Sequence, residues 1–360
     1  MGGDTVQDLN IGLIGYGFAG ATFHAPLIGA VPGLVLAHVA SSRPDLVRAA
    51  HPRAQVHADP QALIAAPELD VVVIATPNDS HHPLARDALL AGKHVVVDKP
   101  FTLTVAEAED LAQLARRQGR LLSVFHNRRW DNDFLTVRQQ VESGVLGEIN
   151  TFISTLDRYR PAVRVRWRED GAVPGSGTLF DLGPHLIDQA LLLFGRPLSV
   201  LADVGLQRHG ASAPDYFHLV LAYGGGLRVI LHGGSLVRQP GARFAVHGRL
   251  GSFVKHGFDP QEDALRAGLA PGQAGWGLDA EPAYGELVLD REGAAVASRV
   301  PTLAGAHHAF YRGLREAIVN GAPPPVTAEE GVDVMRVIEA AQRSAAEGRL
   351  IPFPSDRSTD

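Results

Sequence analysis

The sequence predicts an α/β protein in two parts, a doubly wound parallel sheet followed by an α+β part with a mostly antiparallel open sheet. Three observations carry this. An apolar run from Ile11 feeds a glycine cluster in which Gly15, Gly17 and Gly20 hold the G-x-G-x-x-G spacing. Strand-like apolar runs then alternate with helical patterns as far as Phe125, the signature of βαβ units. From Glu148 strand-like runs succeed one another without helices between them, which marks antiparallel pairing. The expected domains are 1–125 and 126–360.

The glycine cluster opens the first helix. Gly15 permits a tight turn, Gly17 lets the backbone approach a pyrophosphate, and Gly20 lets helix and strand pack closely, so free N–H groups face an anion. Phe18 and Ala19, inside the motif, join the three glycines as expected cofactor contacts. This is the Rossmann arrangement for a dinucleotide; the alternative is a plain strand-turn-helix corner.

Composition narrows the partners. With 360 residues, 45% hydrophobic and 20% charged, the chain can build two cores. The net charge of −6, from 33 cationic and 39 anionic residues, has no long like-charge blocks, which argues against a nucleic-acid or anionic-membrane surface and for a small-molecule partner. Zero cysteines exclude disulfides, thiolate metal sites and cysteine nucleophiles, and no metal-ligand spacing stands out. Met1 to Asn10 lacks a basic start with an apolar run, and no uninterrupted apolar stretch is long enough to span a bilayer, so a cytoplasmic protein without membrane attachment is expected. The polar tail Pro354 to Asp360 is expected to fray.

Phe18 to Ala30 reads as a helix bent near Pro26, and Leu34 to Ala40 as the second strand. At that strand end an acid would favour NAD, whereas neutral or cationic groups suit the extra phosphate of NADP. Here stand Ser41, Ser42 and Arg43, two hydroxyls and a guanidinium fork, so NADP is expected, with Asp45 keeping NAD open. The alternative is a polar turn before a helix. Asp70 to Thr76 is a buried strand ending in Thr76, Pro77, Asn78 and, after Ser80, His81, at the carboxyl edge where doubly wound sheets bind ligands; ordinary turn and cap roles are the alternative. The valine-rich strand from Lys93 ends at Asp98-Lys99-Pro100, which projects the Lys99 ammonium from the sheet edge. Thr104 and Glu107 suggest a capping box for a helix to Gln118. After the strand Leu121 to Phe125 come His126 to Asp131, where Asn127 and Arg128 are placed either to bind hydroxyls or the nicotinamide carboxamide, or to form a salt-bridged junction.

In the second part, Gly224 to Gly226 reads as a hairpin turn, and closing helices are expected at Ala306 to Asn320 and Ala328 to Glu347. No internal repeat is visible. One helix interrupts the strands, reading Asp181-Leu182-Gly183-Pro184-His185. Pro184 is tolerated only in a first turn, which leaves Asp181 and His185 four positions apart on one face. A carboxylate beside an imidazole is a proton-exchange pair near neutral pH; a helix cap and a core histidine are the alternative.

The glycine motif, Asp98-Lys99-Pro100 and Asp181 to His185 together resemble the glucose-fructose oxidoreductase and inositol dehydrogenase family, Gfo/Idh/MocA, from Ile11 to about Pro352. Phe125 to Phe134, Arg158-Tyr159-Arg160-Pro161, Trp167-Arg168-Glu169 and Asp259 to Glu262 are similar to its NADP-dependent scyllo-inositol dehydrogenase branch. The resemblance implies an N-terminal Rossmann domain and a C-terminal open sheet used for oligomerisation; an open sheet with one helical face leaves apolar surface to cover, so a homodimer or homotetramer is expected. It carries the family's lysine, aspartate and histidine onto Lys99, Asp181 and His185. One departure is Asp98, a methylene shorter than the usual glutamate; it is retained as a cofactor contact.

The expected reaction is reversible oxidation of a secondary alcohol on a cyclic polyol, scyllo-inositol or its inosose first. His185 would take the hydroxyl proton, Lys99 would hydrogen-bond the developing carbonyl oxygen, and Asp181 would orient His185 or a substrate hydroxyl. Arg128, Tyr159 and Arg160 are further candidates for substrate contacts. An aldose or related sugar is the alternative substrate, and a non-catalytic NADP-binding sensor or assembly protein is the alternative of another class.

Overall fold

The computed structural model describes residues 8–354. The first seven residues and the expected frayed tail beyond Pro354 lie outside them. The chain divides into two compact units, one comprising residues up to Asn127 with Gln261–Trp276 and Ala306–Val332, the other Arg128–Pro260, Gly277–Gly305 and the chain from Asp333.

The first unit holds six parallel strands: β1 (Leu9–Ile14), β2 (Leu34–Ala40), β3 (Gln55–His57), β4 (Val71–Ile74), β5 (His94–Val97) and β6 (Leu122–Val124). Their spatial order is β3-β2-β1-β4-β5-β6, so the winding reverses between β1 and β4, and that is where a doubly wound sheet leaves a ligand crevice. Every residue of β4 and three of four in β5 are buried, because helices cover both sheet faces and select unbroken valine and isoleucine runs.

The helices of this unit's N-terminal segment are α1 (Ala25–Gly29), α2 (Pro44–Ala50), α3 (Pro60–Ile64), α4 (His81–Leu90) and α5 (Val105–Gln118). The expected helix from Phe18 is divided: Gly20–His24 forms a π-turn, closed by the Ala25 N–H on Gly20 O, and α1 restarts with Pro26 in its first turn. Pro26 has no N–H to donate, so the chain widens before it and begins a new helix with the ring where no donor is required. The capping box forms as read. Thr104 Oγ1 accepts from the Glu107 N–H at 3.2 Å and Glu107 Oε2 accepts from the Thr104 N–H at 3.2 Å, a feature that contributes about 1 kcal/mol.

The second unit contains α6 (Asn132–Glu142), α7 (Thr178–Phe194) and the whole of a nine-stranded sheet whose strands run β7 (Ile149–Thr155), β8 (Ser199–Gly205), β9 (Tyr216–Ala222), β10 (Arg228–Gly234), β11 (Phe244–Gly248), β12 (Gly251–Lys255), β13 (Gly285–Arg291), β14 (Ala294–Val300) and β15 (Ile351–Pro352). Their order is β14-β13-β12-β11-β7-β10-β9-β8-β15. β7 and β10 pair in parallel and every other neighbouring pair is antiparallel. β9 alternates buried and half-buried residues, since α7 covers one face only. The remaining helices are α8 (Gln261–Arg266), α9 (His308–Asn320) and α10 (Ala328–Glu347). No helix of the described residues is long and apolar enough to cross a membrane.

One local expectation is corrected. Pro184 is the seventh residue of α7, well past the first turn, and therefore denies the Phe180 carbonyl its helical donor. Burial outweighs that loss. Leu179, Phe180, Leu182, Leu186, Ile187 and Ala190 are all buried, and each large apolar side chain contributes about 1.5–3 kcal/mol, against roughly 3 kcal/mol for an interior proline.

Candidate active site

In the first unit two of the three glycines, Gly15 and Gly20, are required by close backbone contacts. Gly15 has φ +97°, and a Cβ there would lie 2.5 Å from the Ala75 carbonyl oxygen. At Gly20 a Cβ would meet Gly15 O at 2.0 Å, so this helix turn can close on the strand only without a side chain. Gly17 faces open space, with nothing within 4 Å of the Cβ position. Ala19 has helical backbone angles, and Phe18 stands 56% exposed beside them. Gly15 and Gly17 line a cleft of about 300 Å³ together with Thr76 and Pro77. Ser41, Ser42 and Arg43 line the same cleft.

The end of β2 is held from within that cleft. Arg43 Nη2 donates to the Tyr16 carbonyl at 2.6 Å, while the Arg43 N–H donates to Ser41 Oγ at 3.0 Å. The guanidinium is thereby fixed across the turn. Asp45, which kept NAD open in the sequence, points its carboxylate at Arg48 (3.0 Å) and is 95% exposed. Tyr16, not singled out in the sequence, also lines the cleft and sets its hydroxyl 2.9 Å from His51.

The carboxyl ends of β4 and β5 are tied together by His81. Its ring is fully buried, with Nδ1 2.8 Å from Pro100 O and Nε2 3.0 Å from Thr76 O, so it acts on the crevice through the two loops it joins. Burial lowers the His81 pKa against the opposing charge of Asp98. Asn78 is buried in the turn between the same loops, and Ser80 Oγ donates to Thr76 Oγ1 at 2.6 Å. Lys99, half-buried, stands two residues beyond β5 and precedes a cis bond to Pro100.

Asp98 rests on residues that local sequence patterns do not connect. His24 Nε2 is 3.9 Å from Asp98 Oδ2, beyond hydrogen-bond distance, and His24 Nδ1 lies 2.6 Å from the Tyr311 hydroxyl. Asp98 Oδ1 accepts from the Lys99 N–H at 2.7 Å. Burial pushes the Asp98 carboxyl up, but the His24 imidazole, then Lys99 and His81, outweigh it and hold the pKa at about 2. Burial and the Asp98 charge raise the Tyr311 hydroxyl well above its usual range. Asn127 is buried in this unit, close after β6.

In the second unit, Asp181 and His185 both lie in α7, and His185 is buried. Asp181 sits between two guanidinium groups, with Arg158 Nη1 at 3.8 Å and Arg168 Nε at 3.7 Å. Asp188 accepts a bidentate pair from Arg129 at 2.8 and 2.6 Å, and Arg128 Nη1 donates to Asp131 at 2.9 Å. Both arginines of this run are thus paired with carboxylates of their own unit. Tyr159 is 46% exposed and carries the Arg238 guanidinium 4.6 Å from its ring centre.

Arg160 belongs to a group that the sequence pattern does not assemble. Arg158, Arg160, Arg166, Arg168 and Arg208 line one cavity at the start of α7 with Glu169 and Asp181. Arg208 anchors it: Nε donates to Asp215 at 2.7 Å and Nη1 to Glu169 at 2.8 Å. Glu169 also accepts from Arg166 Nε at 2.6 Å. Burial pushes the Glu169 carboxyl up, but donation from the Arg164 N–H, Arg166 and Arg208 leaves its pKa lowered. The available signal is arginine at every second position in Arg164-Val165-Arg166-Trp167-Arg168, which shows charge density but not what it encloses.

Comparison with known proteins gives two matches that together span most of the chain. Residues 9–126 match an oxidoreductase family, NAD-binding Rossmann fold, and residues 138–353 match that family's C-terminal alpha/beta domain. The chain is 48% identical over 339 residues to the uncharacterized oxidoreductase YdgJ of Escherichia coli, covering 94% of this chain and 97% of the relative. It is 44% identical over 346 residues to the scyllo-inositol 2-dehydrogenase (NADP(+)) IolW of Bacillus subtilis, covering 96% of each. Among solved structures, the oxidoreductase YPO2259 of Yersinia pestis superposes with a TM-score of 0.93 at 48% identity, over 98% of this chain and 99% of that one.

Proposed function

This chain belongs to the Gfo/Idh/MocA oxidoreductase family and is an NAD(P)-dependent dehydrogenase acting on CH–OH groups, and on that premise we propose that it oxidises a secondary alcohol of a cyclic polyol with NADP, scyllo-inositol or its inosose being the first candidate. The observation that carries the cofactor choice is the cleft in which Ser41, Ser42 and a guanidinium pinned at 2.6 Å to Tyr16 O replace the acid expected of an NAD site. The glycines fit a dinucleotide, because the open approach at Gly17 lies beside turns that admit no side chain at Gly15 or Gly20. The relative whose name specifies NADP(+) and scyllo-inositol is 44% identical over nearly the whole chain, which supports the substrate class.

When bound, the nicotinamide dinucleotide supplies the hydride acceptor. In the proposed reaction the backbone at Gly15, Gly17, Phe18 and Ala19 holds its phosphates, and Ser41, Ser42 and Arg43 hold the extra phosphate. Thr76, Pro77, Asn78, Asp98 and Asn127 complete the cofactor side, with His81 fixing the loops. His185 accepts the hydroxyl proton, and Lys99 donates a hydrogen bond to the oxygen as it becomes a carbonyl. Asp181 orients His185 or a substrate hydroxyl, and Arg128, Tyr159 and Arg160 contact the remaining hydroxyls.

The test is NADP+ and NAD+ reduction, followed at the nicotinamide absorbance band, with scyllo-inositol, myo-inositol and glucose. Reduction of NADP+ by a cyclic polyol, with a higher kcat/KM than for NAD+, is expected. Silence with every polyol and sugar, or a preference for NAD+, rejects the reading.

A further inference from the structure

We infer that His24 is a positioning residue of the dehydrogenase: with a nucleotide on the glycine turn it donates through Nε2 to Asp98 Oδ2, and the carboxylate so held sets the backbone at Lys99. This rests on the dehydrogenase reading above and deepens it. The place of His24 in the chain is the first ground. It is the last residue of the π-turn Gly20–His24, which begins at the third glycine of the motif and is closed by the Ala25 N–H on Gly20 O. Single π-turns of this kind recur at functional sites. Gly20 lies against the Gly15 carbonyl, too close for a side chain, so the turn that carries His24 and the turn suited to a pyrophosphate bear directly on each other. A shift in one is passed to the other.

The ring nitrogens are the second ground. His24 is fully buried, and Nδ1 lies 2.6 Å from the Tyr311 hydroxyl. Nε2 has no hydrogen-bond partner among the described residues and stands 3.9 Å from Asp98 Oδ2. That gap is about 1 Å longer than an N–H···O bond, and shorter than the roughly 4.5 Å or more that a bridging water spans. A buried ring nitrogen left in this state destabilises the fold, and a small approach of the carboxylate relieves it. Hydrogen placement agrees with such an approach. Burial, with the Asp98 charge, raises the Tyr311 pKa, so the phenol keeps its proton and can donate it to Nδ1. A lone pair on Nε2 would face the carboxylate and be repelled, so the ring that suits both neighbours carries a hydrogen there.

What the carboxylate already holds is the third ground. Asp98 Oδ1 accepts from the Lys99 N–H at 2.7 Å, which leaves Oδ2 for the histidine. The ring is not the part that moves. It packs 4.2 Å from the centre of the Phe125 ring, which meets Phe310 at 4.9 Å, and Tyr311 holds the other nitrogen. Beyond Lys99, the Pro100 carbonyl is held 2.8 Å from His81 Nδ1. Asp98 and Lys99, both half-buried, lie between these two fixed points and have the freedom to close the gap. The titratable groups around the carboxylate are His24 from the π-turn, Lys99 beside it, His81 from α4 and Tyr311 from α9. Of these, only His24 belongs to the nucleotide-binding turn.

The experiment uses the full chain with His24→Gln, His24→Asn and His24→Leu, each made alone, and His24→Leu also combined with Asp98→Ala. The Gln amide reaches the place of Nε2, the Asn amide only that of Nδ1, and Leu neither. The assay uses NADP+ with scyllo-inositol, or with myo-inositol or glucose if one of these is oxidised faster. His24→Leu and His24→Asn are expected to lower kcat by about tenfold or more, as fits loss of a hydrogen bond to a charged group, while the Kd of NADP+ moves less than about threefold. His24→Gln should keep kcat within about threefold of the unaltered chain. On Asp98→Ala, His24→Leu should cost less than about twofold more, because the group it acts through is already gone. Equal losses in the Gln, Asn and Leu variants, effects that multiply in the double variant, an unchanged kcat or a loss confined to NADP+ binding each overturn the inference while the dehydrogenase reading stands. If no alcohol is oxidised, that reading fails, and the hydrogen bond is judged by NMR of the chain labelled with 15N-histidine. A slowly exchanging Nε2–H signal, assigned by its absence from His24→Gln, is expected to appear on addition of NADP+ and to be missing from Asp98→Ala. No such signal, or one indifferent to NADP+ or to Asp98→Ala, overturns the inference. Should the His24 variants fail to fold, the same spectra of the unaltered chain and Asp98→Ala decide between these outcomes.

Discussion

The buried His24 ring sets Nε2 3.9 Å from Asp98 Oδ2, behind the lysine that follows β5. The histidine enters from the π-turn that follows the glycine motif, and its other ring nitrogen rests against the Tyr311 hydroxyl at 2.6 Å. Its ring also packs against Phe125, 4.2 Å between centres, which fixes its orientation. Asp98 is one methylene shorter than the carboxylate usual in the resembling family, and here it is met by a histidine from the nucleotide-binding turn. The glycine motif and the loop bearing Lys99 are therefore linked by this imidazole–carboxylate approach as well as by the sheet.

Asp98 should contribute to stability mainly at neutral pH. Its folded pKa of about 2 lies below the ordinary 3.8, so its contribution is present above about pH 4 and is lost as pH falls toward 2. A shift of this size corresponds to about 2 kcal/mol. We expect Asp98→Asn to lower the urea midpoint at pH 7, and the difference from the unaltered chain to narrow at pH 3. A gap independent of pH would show that the carboxylate is not held by charge.

Arg43 should set the cofactor preference. A charge-assisted hydrogen bond is worth about 1.5–3 kcal/mol, so Arg43→Ala should lower kcat/KM for NADP+ by about tenfold or more and shift the NADP+/NAD+ ratio toward NAD+. Steady-state kinetics with both cofactors is the measurement. A parallel fall for both would make Arg43 a support for the Tyr16 turn and remove it from phosphate recognition.

Much of this is legible in the sequence because the signals are local. The glycine spacing, the valine runs of β4 and β5, the capping box at Thr104 and the strand Leu34–Ala40 depend on residues within a turn or two of one another. Lys99 can be placed at a strand end for the same reason. What sequence patterns miss depends on distance or burial. His24, Asp98 and Tyr311 are far apart along the chain, and no periodicity pairs them. Pro184 defies its usual rule because α7 is packed so densely that one lost hydrogen bond is tolerated. β14, Ala294–Val300, has six exposed residues out of seven and so shows no apolar alternation to betray a strand. The arginines are visible as charge, but their enclosure depends on Asp215 and Glu169 meeting Arg208.

His185 and Lys99 should divide the chemistry between them. Loss of a general acid-base group costs about 100-fold or more, so His185→Ala should lower kcat to that extent and remove the acidic limb of its pH profile. Lys99→Met should also lower kcat by about 100-fold, through loss of a donor to the developing oxygen, but leave that limb in place. Circular dichroism on both variants controls for folding. Turnover unchanged in folded His185→Ala would withdraw the histidine from the reaction.

Asp133 should make the second unit less stable as pH rises. The carboxyl group is buried in the first turn of α6, where Oδ1 accepts from the Phe134 N–H at 2.6 Å and Oδ2 lies 3.5 Å from Arg243 Nε. Arg243 is itself buried against the Phe244 ring and donates to Ser154 Oγ at 2.6 Å. Burial raises the Asp133 pKa to about 7; Arg243 opposes this, and the charges of Asp131 and Asp259 add to it. Because the folded pKa lies above the ordinary 3.8, the native state binds a proton that the unfolded chain has released between about pH 4 and 7, and stability falls across that window as pH rises. Asp133→Asn keeps the shape and cannot ionise. Its unfolding free energy should match the unaltered chain near pH 4 and exceed it at pH 8, by an amount on the order of a few kcal/mol. If the variant is instead weakened equally at both pH values, Asp133 is ionised throughout and acts as the partner of Arg243.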